Sequence, residues 1–98
     1  MKNIVSRKKL KTFWEKYPDS EDTLKTWYKV AMKAKWKTSN EVKTQYRNAS
    51  VIGDTRIAFN ICGNKCRLIV KFNYEMQWGW IRFIDTHSKY DRIDASTI

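Results

Sequence analysis

Residues 56–93 read RIAFNICGNKCRLIVKFNYEMQWGWIRFIDTHSKYDRI, and three runs within them alternate apolar with polar side chains. Arg56 to Ile61, Lys65 to Tyr74 and Trp80 to Asp85 each carry the two-residue period of a strand buried on one side. Gly63-Asn64 forms a tight turn between the first two, and Glu75 to Gly79 a looser one, so glycine-containing turns set the register of three antiparallel strands. Successive side chains of a strand point to opposite faces. In the middle strand Cys66, Leu68, Val70, Phe72 and Tyr74 therefore share one face, and Lys65, Arg67, Ile69, Lys71 and Asn73 share the other. The same alternation separates Ile57, Phe59 and Ile61 from Arg56, Ala58 and Asn60, and Ile81 and Phe83 from Trp80, Arg82 and Ile84. The expectation is a sheet with one apolar side against a core and a basic, aromatic-edged side that carries function.

Upstream, Asn3 to Ser6 holds Ile4 and Val5 and reads as a short first strand, after which Ser6 is placed to cap a helix. Leu10, Phe13, Trp14 and Tyr17 fall at i, i+3, i+4 and i+7, an amphipathic stripe that Pro18 ends. Asp19 or Ser20 is expected to cap the next helix, where Glu21 and Asp22 suit the positive end of the dipole and Leu24, Trp27, Tyr28 and Ala31 repeat the stripe. So short a link makes the two helices a hairpin. A stripe at helical spacing is more often core than a nucleic-acid stacking surface, and Lys8, Lys9, Lys11 and Lys16 read as a solvated face. Thr38 and Glu41 have capping-box spacing before Val42 and Tyr46, which predicts a short third helix, and Gly53-Asp54 is a turn before the sheet begins. The order strand, helix, helix, short helix, three strands and a short C-terminal helix gives an α+β fold.

At 98 residues the chain is one domain, residues 1–98, with 42% hydrophobic content, five Trp and five Tyr, a composition that folds around a modest core. Twenty Lys and Arg against ten Asp and Glu leave a net charge of +10, a field that favours polyanions. The opening MKNIVSRKKLK lacks the apolar core of a signal peptide, and no run approaches the ~20 apolar residues of a membrane span, so a cytoplasmic protein without a membrane partner is expected. Cys62 and Cys66 flank the tight turn on opposite faces and are read as free thiols. With one His they fall short of a four-ligand zinc site, and neither metal nor cofactor is expected.

After the last strand, Thr86 is placed to cap a helical turn whose His87, Tyr90 and Asp91 stand at i, i+3 and i+4 on one face. Imidazole titrates near ~6.5 and so exchanges protons at cellular pH; Asp91 or a phosphate can orient it. Tyr90 can donate a hydrogen bond or stack on a base. Arg67 and Arg82, if register makes them face one another, would grip a phosphate through forked donors. These are the groups of metal-free RNA cleavage, in which the 2′-hydroxyl attacks the neighbouring phosphate. Taken alone, His87 reads more readily as a capping or hydrogen-bonding residue than as a catalyst and Tyr90 as a packing residue, Asn60 reads equally as a backbone-bonding strand residue, and Lys65 and Lys71 as solvated charges.

The segment F-N-I-x-G-N-x-x-R-L-I at Phe59 to Ile69, I-R-F at Ile81 to Phe83 and T-H-x-x-Y-D at Thr86 to Asp91 resembles the HigB-type toxins of bacterial toxin-antitoxin pairs, within the RelE-like superfamily. F-W-E-K-Y-P at Phe13 to Pro18, W-Y-K at Trp27 to Lys29 and Q-Y-R at Gln45 to Arg47 extend the resemblance over nearly the whole chain. It implies a helical hairpin packed on a small, mainly antiparallel sheet. It also implies an mRNA interferase that cuts messages on the ribosome and is neutralised by a cognate HigA-type antitoxin. By resemblance the catalytic residues are Arg67, Arg82, His87 and Tyr90, with Asn60, Lys65, Lys71 and Asp91 as RNA-binding residues. Cys62 and Cys66 stand where glycine and tyrosine are expected, and Asp85 where glycine is common; a carboxylate there would favour the imidazolium of His87 or repel an RNA phosphate. Two other readings of the chain are a non-enzymatic toxin resembling the gyrase poisons and a basic ribosome- or RNA-binding module.

Overall fold

The computed structural model describes residues 1–53, 55–63, 65–95 and 97–98. Its strands are β1 (Asn3–Val5), β2 (Ser50–Ile52), β3 (Arg56–Ile61), β4 (Cys66–Asn73) and β5 (Trp78–Thr86), and its α-helices are α1 (Arg7–Lys16), α2 (Glu21–Lys33), α3 (Ser39–Gln45) and α4 (His87–Tyr90). All five strands join one sheet in the order β1-β5-β4-β3-β2. β1 runs parallel to β5, and the remaining pairs are antiparallel. The expected α+β order is present, with β2 added before the sheet's long strands. β2 is three residues long, too short to show alternation, and is defined by its pairing with β3.

The helical hairpin forms as its stripes require. Leu10, Phe13 and Trp14 of α1 and Leu24, Trp27 and Ala31 of α2 are buried. The caps differ from expectation. Ser6 and Ser20 occupy the N-cap positions without side-chain cap bonds, and the Ser20 hydroxyl instead donates to the Tyr17 carbonyl at 2.7 Å, closing the short 3-10 turn Pro18–Ser20. Thr38 does cap α3: its Oγ1 accepts from the Glu41 amide at 3.3 Å, one half of the capping box. The helices cover one sheet face, where edge-on aromatic contacts join Trp27 to Phe59 at 5.3 Å, Phe59 to Phe72 at 6.4 Å and Trp36 to Phe72 at 5.8 Å.

β3 and β4 keep the expected facing, with Ile57, Phe59 and Ile61 buried beside Cys66, Leu68, Val70 and Phe72, while Ala58 and Ile69 of the opposite face are buried as well. β5 does not. Val70 pairs with Ile81 and Ile69 pairs with Phe83, so Arg82 is the extra residue of a β-bulge. The bulge reverses the faces expected beyond it: Ile84 now pairs with core Leu68, and Phe83 joins Ile69 on the opposite side. Gly79 lies within β5 rather than in the turn before it, and the left-handed turn residue is Gln77 at φ 59°. Near the other hairpin, Cys62 has φ 55°, and its thiol comes within hydrogen-bonding reach of Cys66 instead of lying on the far face; both cysteines are free. Asn64 of that expected turn, and Asp54 of the one before β3, lie outside the described residues.

Candidate active site

On the face away from α1 and α2, the register lines up Asn60, Arg67 and Asp85 across β3, β4 and β5. The next row along the strands is Ala58, Ile69 and Phe83; beyond it come Arg56, Lys71 and Trp80, then Asn73 and Trp78. This side is only partly basic, for Ala58 and Ile69 are fully buried. α4 packs on β4 and β5 here, and Arg56 Nε donates to the Ile98 carbonyl at 3.0 Å, so the end of the chain shelters the middle of the face.

Arg67 is the centre of the cluster. Its Nη1 donates to Asn60 Oδ1 at 2.5 Å, and its guanidinium lies 4.5 Å from the centre of the Tyr90 ring. Asn60 Nδ2 donates in turn to the Asn48 carbonyl at 3.0 Å, which fixes the amide's orientation and leaves its oxygen for Arg67. Tyr90 also meets Phe83 at 6.3 Å and His87 at 6.5 Å between ring centres. The bulge at Arg82 is what turns Phe83 into this cluster, so one irregularity builds the apolar wall against which Tyr90 rests. His87 opens α4, its amide reaching the Lys65 carbonyl at 3.4 Å, so helix start and β3–β4 turn are tied together. Thr86 occupies the N-cap position without a side-chain cap bond.

Two nitrogens in this cluster, Arg67 Nε and His87 Nε2, are shielded from solvent and have no hydrogen-bond partner among the described residues. A buried donor or acceptor left unmatched costs about 1–3 kcal/mol. Both adjoin Tyr90, and both belong to side chains that act on phosphates or protons. The Asp85 carboxylate is occupied otherwise: Oδ1 accepts from the Thr86 amide at 2.8 Å and Oδ2 lies 3.6 Å from Lys89 Nζ. That placement ties the added carboxylate to the start of α4.

Arg82 stands apart. It does not face Arg67, whose strand neighbours are Asn60 and Asp85; it is exposed and lines a groove of about 650 Å³ between β5 and α1. Lys8, Lys9 and Lys16 share that groove, over Phe13, Tyr17 and Ile84. The lysines expected to be mere solvated charge therefore gather with Arg82 in a largely basic groove along β5, whose lining also includes Phe83 and Asp85. The remaining expected residues are dispersed. Lys65 is exposed at the turn, Lys71 lies two rows from Arg67 beside Trp80, and Asp91 is exposed at the end of α4. Among the described residues the Asp91 carboxylate makes no bond to His87; its amide donates to the His87 carbonyl at 3.0 Å. Phe83 is the participant the sequence concealed, because strict alternation assigns it to the core.

The sequence that folds this way has relatives. The family description of the HigB toxin, a RelE-like toxic component of a toxin-antitoxin system, matches residues 20–93. The chain belongs to the HigB toxin family. It is 28% identical over 95 residues to the mRNA interferase toxin HigB of Escherichia coli strain K12, an alignment covering 95% of this chain and 91% of that protein. The mRNA interferase HigB proteins of Escherichia coli O157:H7 and Shigella flexneri match with the same identity and coverage. For a HigB-family chain, the matched segment takes in α2, α3, the strands β2 to β5 and α4, hence every residue of the Arg67 cluster. Among the described residues no helix is long and apolar enough to cross a membrane.

Proposed function

We propose that this toxin is an mRNA interferase, an endoribonuclease that cuts translated messages, and that Arg67, His87 and Tyr90 form its reactive centre. The observation that carries the assignment of the centre is the pair of shielded, unmatched nitrogens on Arg67 and His87 beside one aromatic ring. In the reaction the RNA's 2′-oxygen attacks phosphorus, the bond to the 5′-oxygen breaks, and a cyclic phosphate and a free 5′-hydroxyl result. His87 takes the proton from the attacking 2′-hydroxyl and delivers one to the departing 5′-oxygen, and Arg67 stabilises the negative charge gathered on the phosphorane oxygens. Tyr90 acts by holding Arg67, its ring stacked on the guanidinium, and Asn60 aims the same group through its oxygen.

Arg82 serves a different step in this reading. With Lys8, Lys9 and Lys16 it supplies a basic groove that docks the phosphate backbone of ribosomal RNA, so that the ribosome presents the message to the Arg67 cluster. A HigA-type antitoxin, the proposed partner, neutralises the toxin by covering one of these basic surfaces.

The test is inducible expression of the wild type and of His87→Ala, with growth followed and message 5′ ends mapped by primer extension. Wild type is expected to stop growth and produce new ends within translated frames, and His87→Ala to produce neither while accumulating as folded protein. Growth arrest with messages intact would reject the interferase reading, and a fully toxic His87→Ala would reject proton transfer by that residue. Loss of the cuts when initiation is blocked is the outcome expected of ribosome dependence.

A further inference from the structure

Beyond the reactive cluster the same sheet face bears two tryptophans, Trp78 and Trp80. They lie two residues apart on β5, opposite Asn73 and Lys71 of β4, with ring centres 5.9 Å apart and planes tilted by 42°. Gly79 between them points to the core, where Ile4 and Phe72 crowd it, so both indoles are committed to the outer face. α1 and α2 pack on the other side, and α4 meets this side through Tyr90, beside Arg67 and Phe83. Trp14, Trp27 and Trp36 are each buried, while Trp78 and Trp80 are half-buried.

We propose that Trp78 and Trp80 form a stacking platform for bases of single-stranded RNA next to the cleaved phosphate, with the Lys71 ammonium meeting the intervening phosphate. This rests on the interferase reading, because the platform shares its face with Arg67. Two features favour RNA over a protein occupant. The platform shares a strand with the reactive row: Arg67 and Lys71 are four residues apart on β4, about 13 Å at roughly 3.3 Å per residue, and because Ala58 and Ile69 between them are buried, an RNA reaching both passes over the cover that α4 and residue 98 provide. The charge also fits, since Lys71 faces Trp80 on one neighbouring strand and, on the other, Arg56, whose Nε donates to the Ile98 oxygen. A flat indole surface with an adjacent cation is what sequence-tolerant single-strand binding uses, since every base offers a π-face and every linkage a charge.

The experiment follows tryptophan fluorescence of the His87→Ala protein as a short unstructured oligoribonucleotide is added in low salt, with the anisotropy of the dye-labelled RNA giving the affinity of every variant. Saturable quenching is expected, weaker for the same RNA as a duplex, and Trp78→Leu with Trp80→Leu is expected to lower affinity about tenfold or more. Trp80→Phe, which keeps a ring, is expected to retain most of the binding, and far-ultraviolet circular dichroism checks that each variant folds. Parental affinity in the folded double variant, or equal quenching by duplex, overturns the platform. So does a double variant that binds RNA normally but escapes neutralisation by a co-expressed antitoxin, which would assign the face to a protein. If the wild type cuts no message in cells while the tryptophan-dependent binding persists, the interferase reading fails and the platform stands. If messages are cut and the double variant binds as the parent does, the platform alone falls.

Discussion

Arg67 is held from two directions, by the Asn60 carbonyl at 2.5 Å and by the Tyr90 ring at 4.5 Å, and each contact is a separate hypothesis about catalysis. A hydrogen bond to a charged group contributes about 1.5–3 kcal/mol. Asn60→Ala is therefore expected to cut message cleavage roughly 10- to 100-fold. Asn60→Asp, which restores an acceptor, is expected to recover much of that loss; quantified primer-extension ends in cells expressing matched amounts of protein check both. No rescue by Asp would mean that Asn60 acts otherwise than by holding Arg67. Tyr90 separates stacking from proton transfer. Tyr90→Phe keeps the stack and is expected to stay within about tenfold of wild type, whereas Tyr90→Ala forfeits a desolvated cation–π contact of about 2 kcal/mol and falls about 30-fold. Equal losses in the two variants would assign the phenol hydroxyl a direct part in the chemistry.

The element that decides which residues meet is β5. Its bulge at Arg82 sends that arginine toward the α1 groove and delivers Phe83 to Tyr90, while Gly79 lets β1 and Phe72 close on the core side. A methyl group at position 79 would lie 2.9 Å from Ile4 Cδ1 and 3.3 Å from the Phe72 ring. Because Phe72 is wedged among Trp36, Phe59 and Tyr74, Gly79→Ala is expected to destabilise the fold by about 1–3 kcal/mol, read as a lower Tm. An unchanged Tm would mean that β1 shifts away without penalty. Much of this element plan was legible in the sequence, because helical stripes and alternation in β3 and β4 reflect burial on one side. What escaped were places where geometry departs from period. A bulge adds one residue without altering composition, so Phe83 and Ile84 exchanged faces and the pairing of Arg67 with Arg82 dissolved. β2 is too short for any period, and Cys62 leaves strand geometry at a left-handed turn. The cluster of Arg67, Asn60, His87 and Tyr90 was visible as residue types and motif, yet the contacts that order it depend on where α4 folds back across β4.

At the scale of the whole molecule, positive charge surrounds a core that keeps several ionisable groups neutral. The net charge of +10 speeds approach to RNA and makes that approach sensitive to salt, but it also strains the compact state by self-repulsion. Within the core, burial pushes the Cys66 thiol up to about 12, assisted by the hydrogen bond and charge of Cys62 and by Asp85 and opposed by Lys65; burial likewise raises Tyr74 to about 12 and Tyr46 above its ordinary value. The consequence for stability has a definite sign. In the unfolded chain the Cys66 thiol and the Tyr74 phenol lose protons from about pH 9 to 10, whereas the folded chain holds these two until about 12, so over that window the unfolded state binds fewer protons. Stability from these groups is complete below about pH 9 and falls as pH rises toward 12. Lysine neutralisation acts in the opposite direction over part of the same range by relieving self-repulsion, so wild type alone does not isolate the effect. Cys66→Val removes the buried thiol at nearly constant volume while leaving every lysine in place. The urea midpoint of wild type is expected to drop more between about pH 8 and pH 11 than that of Cys66→Val, and parallel curves for the two proteins would show that the Cys66 thiol ionises as freely in the fold as outside it.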